Sequence, residues 1–250
     1  MLGALKLGEI NKKDKIIFSY GLGFIISSLV IFLIAVFGLL YQGVVLSLVI
    51  TSALLSFKYL KENYLNVFRF KFEINFRDKK NIIFLFLLLS VHFVFITKPN
   101  PITTDDLHTY WNAPLEYTRT HSYLPMTNTK GSSATQNTEM LYAGIISLTD
   151  TRYIIHFQFF AFLFFLFTVH RLAELYFNKR IASLAVLSST LIPWNFYYIT
   201  TVKVEMSLLL FSAMTTLALY KFFLSKKQAC LILFAIFSAS SLFALRIIIY

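Results

Sequence analysis

Seven apolar runs set the terms for everything else in this chain. They are Ile16–Phe37, Leu39–Phe57, Asn81–Thr97, Arg152–Val169, Ile181–Ile199, Met206–Leu224 and Ala229–Tyr250. A helix needs about 20 apolar residues to cross the hydrocarbon core of a bilayer, and each run is of about that length. Composition agrees: the 250 residues are 57% hydrophobic and 14% charged. A soluble domain is roughly 45–50% apolar and roughly 25% charged. The expected fold is all-α, a polytopic transmembrane helical bundle of about seven spans. The first run is too long for a cleaved signal peptide and no A-x-A site follows it, so it reads as a span. Gly38 and Gly43 bracket a tight turn, so the first two spans are expected to form a helical hairpin. The one cysteine, Cys230, lies in an apolar run and reads as a small buried or lipid-facing residue.

Charge placement gives the topology. Segments 1–15, 58–80, 171–180 and 221–227 hold 4, 7, 3 and 3 Lys/Arg, which is 17 of the 23. If the spans alternate, all four fall on one side. The positive-inside rule then puts the N-terminus and these loops in the cytoplasm, with the protein a multi-pass protein of the cell inner membrane. The net charge of +11 is therefore topological, and membrane lipids with anionic headgroups are the partner it implies. No aromatic platform is interleaved with the basic residues, so nucleic acid is not an expected partner. Two regions follow: 1–80, an N-terminal segment, hairpin and basic loop; and 81–250, the remaining spans with an extracytoplasmic loop at 98–151.

That loop carries five carboxylates, Asp105, Asp106, Glu116, Glu139 and Asp150, against Lys98, Arg119 and Lys130. A loop longer than about 12–15 residues in a compact protein is usually functional or disordered. Thr103 or Thr104 can cap a short helix bearing Asp105 and Asp106 in its first turn, where the helix dipole favours carboxylates. Leu107, Tyr110, Trp111 and Leu115 recur at helical spacing and suit the membrane interface. Pro114 is expected to end or kink this helix. Met126–Thr138 reads as a flexible loop, and a second short helix is expected from Glu139 to Leu148.

Adjacent helical residues point about 100° apart, so Asp105 and Asp106 cannot both aim at one point. His108 shares a face with Asp105, and Asp-x-x-His is a fragment of a divalent metal site, though two ligands do not make one. A capped, solvated interfacial helix explains the same residues. His92, His156 and His170, and Ser188, Ser189, Thr215 and Thr216, read as helix-packing or interface residues. No GxxxxGK[ST], GxGxxG, HExxH or paired CxxC occurs, so nothing supports nucleotide-driven chemistry or a cysteine-rich metal site.

The run Asp105-Asp106-Leu107-His108-Thr109-Tyr110-Trp111-Asn112-Ala113-Pro114-Leu115-Glu116-Tyr117, followed by Thr120-His121-Ser122-Tyr123-Leu124-Pro125, resembles the first extracytoplasmic loop of bacterial GT-C glycosyltransferases. That superfamily includes the protein O-mannosyltransferases and the aminoarabinose transferases of lipid A. Glu139-Met140-Leu141 matches the family's E-x-L setting. Pro193-Trp194 and then Glu205 resemble its second loop, with Glu where the family has Asp. The resemblance covers roughly Asn81 to Tyr250. It implies transfer of a sugar from a polyprenyl-phosphate carrier to an extracytoplasmic acceptor. Asp105 or Asp106 would be the general base, with Asp105 favoured as nearer the helix start. His108, Glu139 and Glu205 would face substrate, and Lys203 or Arg246 would meet the phosphate. A divalent cation is the one cofactor the chemistry invites. For Lys203 and Arg246, interfacial anchoring and snorkelling are the simpler readings. Two spans precede the family's first, and the chain stops inside Leu242–Tyr250. The resemblance therefore implies an N-terminal fragment, incomplete at its C-terminus and, on one reading, inactive.

The competing reading is a non-enzymatic polytopic protein such as a transporter or flippase component. Transporters place charges and broken helices near the midplane, often within internal repeats. Here the acids cluster at one face and no repeat is evident.

Overall fold

The computed structural model describes residues 11–68, 111–123, 137–200 and 203–244, together with Phe86, Leu87 and Ser90. Among them the fold is all-α with no strand. The helices are α1 (Lys12–Val36), α2 (Gln42–Phe68), α3 (Asn112–Thr120), α4 (Asn137–Leu148), α5 (Tyr153–Tyr176), α6 (Lys179–Leu191), α7 (Pro193–Thr200), α8 (Glu205–Ser225) and α9 (Gln228–Ala244). Three stretches among the described residues are long and apolar enough to cross a membrane: Lys13–Val36, Tyr153–Tyr176 and Glu205–Ser225. Shorter apolar stretches are Gln42–Phe57, Thr138–Leu148 and Gln228–Leu242. The run at Asn81–Thr97 lies outside the described residues apart from Phe86, Leu87 and Ser90, which are helical.

The helix ends follow from local chemistry. Asn11 caps α1 by accepting from the Lys13 amide at 3.0 Å. At the other end, Gly38 takes a left-handed φ of 69°. This lets Gly38 N donate to Ala35 O and Leu39 N to Ile34 O, at 3.0 and 2.9 Å, closing the helix in a Schellman turn. The turn is tight, as expected. The hairpin is not: α2 leans on α4, while α1 packs on α4, α5, α8 and α9. The outward residues Leu54, Leu55 and Phe57 of α2 are exposed apolar side chains suited to lipid.

The sequence reads Ile181–Ile199 as one span, but the structure breaks it at Pro193. Ile192 is extended at ψ 116°, the conformation a following proline favours. Pro193 has no N–H for the Ser189 carbonyl one turn back. The buried Asn195 side chain donates to that carbonyl at 2.7 Å instead, so the break leaves no orphan there.

A second difference concerns the long loop. Pro114 stands in the first turn of α3, where a missing amide costs nothing, and so does not end the helix. Helix α4 is not a surface helix at all. Thr138 through Gly144 are buried, and α4 is surrounded by α1, α2, α3, α5 and α9. Its composition is apolar on nearly every side, and such a helix is stable only when enclosed.

The main core joins α1, α5, α8 and α9. Phe24 meets Phe211 edge-on at 5.0 Å, and Phe18 stacks on Phe237 at 5.8 Å. Small and polar side chains are inside: Ser28, Gln158, Thr168, Ser207 and Ser240 are buried, while large apolar ones such as Leu29, Leu33 and Leu184 face outward. Where the surroundings are lipid, apolar burial no longer separates inside from outside, and small or hydrogen-bonding residues go to helix contacts.

Candidate functional site

The bundle has two chemically distinct ends. At one end, Asp14 at the start of α1 is fully buried. Arg171, in the last turns of α5, donates from Nε to Asp14 Oδ1 at 2.6 Å and from Nη2 to Oδ2 at 3.4 Å. Lys221, near the end of α8, reaches Asp14 Oδ2 at 2.6 Å. Glu174 accepts from Arg171 Nη1 at 2.8 Å and pairs with Lys13 at 3.2 Å. The cluster ties the beginning of α1 to the ends of α5 and α8. Three of the four basic segments counted in the sequence therefore meet at one end, as alternating spans require.

The opposite end gathers the described parts of the loop. Tyr123 N donates to Ala35 O at 2.8 Å and Leu40 N to His121 O at 3.0 Å, tying the segment after α3 to the end of α1. His121, with φ 56°, stacks on Tyr41 at 4.0 Å, and its Nδ1 lies 3.1 Å from Leu40 O. Glu139 is buried in the first turn of α4, where the N-terminal dipole suits a carboxylate. One turn on, Tyr142 Oη donates to the Lys203 backbone carbonyl at 3.2 Å. Gln158 of α5 donates from Nε2 to the same carbonyl at 2.5 Å and also to Tyr142 Oη. Lys203 Nζ stands 5.1 Å over the Tyr197 ring, and Glu205 opens α8. Trp111 packs with the buried pair Tyr142 and Ile154.

Of the residues read from the sequence, Glu139, Lys203 and Glu205 thus belong to one end, where Tyr142, one turn after Glu139, bonds the Lys203 carbonyl. None of the three is a free side chain. Asp105, Asp106, His108 and Arg246 lie outside the described residues, as do the helix expected around Asp105 and all but the end of the Met126–Thr138 loop. Trp111, close in sequence to His108, is the nearest described anchor of the acidic segment. No three His, Cys, Asp or Glu side chains gather into a metal-sized group among the described residues. Asp150 is half-exposed, and its carboxyl is held below the usual aspartate range by the Arg152 amide and side chain and by the Thr151 hydroxyl.

Sequence reading missed Tyr142, Gln158 and the Asp14 cluster. Gln158 carried a signal, as an amide inside the apolar run Arg152–Val169. Its Oε1 finds no hydrogen-bond donor among the described residues, an omission worth about 1–3 kcal/mol in a buried site. Asp14 and Arg171 carried none, because the pairing spans most of the chain and each sits beside residues already counted as cytoplasmic charge.

No protein-family model matches this sequence, and neither a curated protein nor a solved structure does.

Proposed function

We propose that this protein is a polytopic glycosyltransferase of GT-C type in the cell inner membrane, with its N-terminus in the cytoplasm. It moves a sugar from a polyprenyl-phosphate-linked donor to an extracytoplasmic glycan, lipid or protein. The observation that supports this reading is that Tyr142, one turn after Glu139, reaches the Lys203 carbonyl just before Glu205, at the end of the bundle opposite the Asp14 cluster and beside Trp111 of the acidic segment. In the reaction, an acceptor hydroxyl attacks the anomeric carbon and gives its proton to Asp105 or Asp106. The new C–O bond forms as the bond from that carbon to phosphate breaks, and the leaving phosphate keeps the electron pair. Lys203 or Arg246 offsets the charge that develops on it. His108, Glu139 and Glu205 face the substrates, and a divalent cation would assist the leaving group. An apolar carrier explains why such a site belongs at a membrane face.

One observation favours the alternative, a transporter or flippase component: the helix break at Pro193 is a device of transport proteins. Purified protein in proteoliposomes separates the two. Transfer from a polyprenyl-phosphate-linked sugar, reduced about 100-fold or more by Asp105→Asn or Asp106→Asn, is the expected result. Unchanged transfer in both variants removes the base assignment. Flux of lipid-linked sugar across the bilayer without transfer establishes the alternative.

A further inference from the structure

Gln158 is fully buried, and its placement is not explained by packing. It sits on an apolar helix, leaves its own Oε1 without a donor among the described residues, and spends its amide N–H groups on one backbone carbonyl and one phenol. That carbonyl belongs to Lys203, which lies before the first turn of α8 and outside any helix. Tyr142 arrives at the same carbonyl from α4. Two side chains from two helices thus converge on a single peptide group in the segment that carries Lys203 and Glu205. An apolar residue at position 158 would leave no buried oxygen without a donor, so the contribution of the amide lies in what it holds.

We infer that Gln158, together with Tyr142, is a positioning residue that fixes the Lys203–Glu205 segment at the outer end of the bundle. Through it, the Lys203 ammonium is aimed at the phosphate of a lipid-linked donor. The role assigned to the phosphate rests on the glycosyltransferase reading; the anchoring of the segment does not.

The test uses the full chain in detergent, with Gln158→Met as a shape-matched variant and Tyr142→Phe as a second. Amide hydrogen exchange in the peptide containing Lys203 should accelerate about tenfold in Q158M and less in Y142F, with peptides from α9 unchanged. Gln158→Glu supplies a donor only when its buried carboxyl is protonated. Protection at Lys203, corrected for intrinsic rates, should therefore return in that variant as pH falls, which a purely structural role would not produce. In proteoliposomes, Q158M should raise KM for the polyprenyl-phosphate sugar about tenfold, the effect of losing roughly one hydrogen bond's worth of positioning. Unchanged exchange at Lys203 in Q158M, or acceleration spread over the whole chain, overturns the inference. Wild-type transfer by a Q158M protein whose Lys203 peptide is loosened overturns the role toward the phosphate. If the exchange results hold but the unsubstituted protein transfers no sugar, the anchoring stands and the glycosyltransferase reading fails.

Discussion

Arg171 Nε donates to Asp14 Oδ1 at 2.6 Å, joining residues 157 positions apart in the chain. A fully buried carboxylate is tolerable only because Arg171 and Lys221 both reach it. Asp14→Leu should destabilise the protein by about 3–5 kcal/mol, since it leaves two partly buried cations short of a partner. Lys13→Met, at a more exposed pair, should cost about 0–1 kcal/mol. Denaturant unfolding in detergent, followed by circular dichroism, checks both. Equal effects would show that the cluster is not held by Asp14.

The break at Pro193 makes a non-additive prediction. Asn195→Ala should cost about 1–3 kcal/mol by stranding the Ser189 carbonyl. Pro193→Ala restores a backbone donor for that carbonyl, so the double variant should lose less than N195A alone. A double-mutant cycle on thermal unfolding measures this coupling. Strict additivity would refute the compensation.

Two glycines of α1 should behave oppositely. A Cβ at Gly21 would stand 2.5 Å from Met214 Sδ and 2.7 Å from Phe237 Cε1, so Gly21→Ala should cost about 1–3 kcal/mol. At Gly23 nothing lies within 4 Å, and Gly23→Ala should stabilise by up to about 1 kcal/mol through helix propensity. Unfolding midpoints of the two variants decide it.

Acidification should weaken the entry to α5. The Asp150 carboxyl is lowered in the folded protein, first by its bond from the Arg152 amide and then by the Arg152 and Thr151 side chains. A lowered carboxylate contributes stability above its unfolded value, about 3.9, and loses it as pH falls through the folded value. Asp150→Asn keeps an acceptor for the amide but does not titrate. Melting temperatures should therefore fall more from pH 6 to pH 3 in the unsubstituted protein than in D150N. Parallel curves would remove Asp150 from the acid response.

The sequence by itself determined the class. Apolar runs over Ile16–Phe37, Arg152–Val169 and Met206–Leu224 correspond to helices Lys12–Val36, Tyr153–Tyr176 and Glu205–Ser225, because length and hydropathy are local properties that a one-dimensional reading captures. It also started a helix at Glu139, which stands in the first turn of α4 where the dipole favours acids. Hydropathy did not resolve the break inside Ile181–Ile199, which depends on Asn195 finding the Ser189 carbonyl. It found the helix at Glu139–Leu148 but not its burial, because an apolar stretch of that length says nothing about which helices enclose it. Only the tertiary structure decided that Asp14 is neutralised by Arg171 and Lys221, and that Gln158 and Tyr142 meet at Lys203. Both are contacts between helices far apart in sequence, and no periodicity along one helix encodes its partner on another.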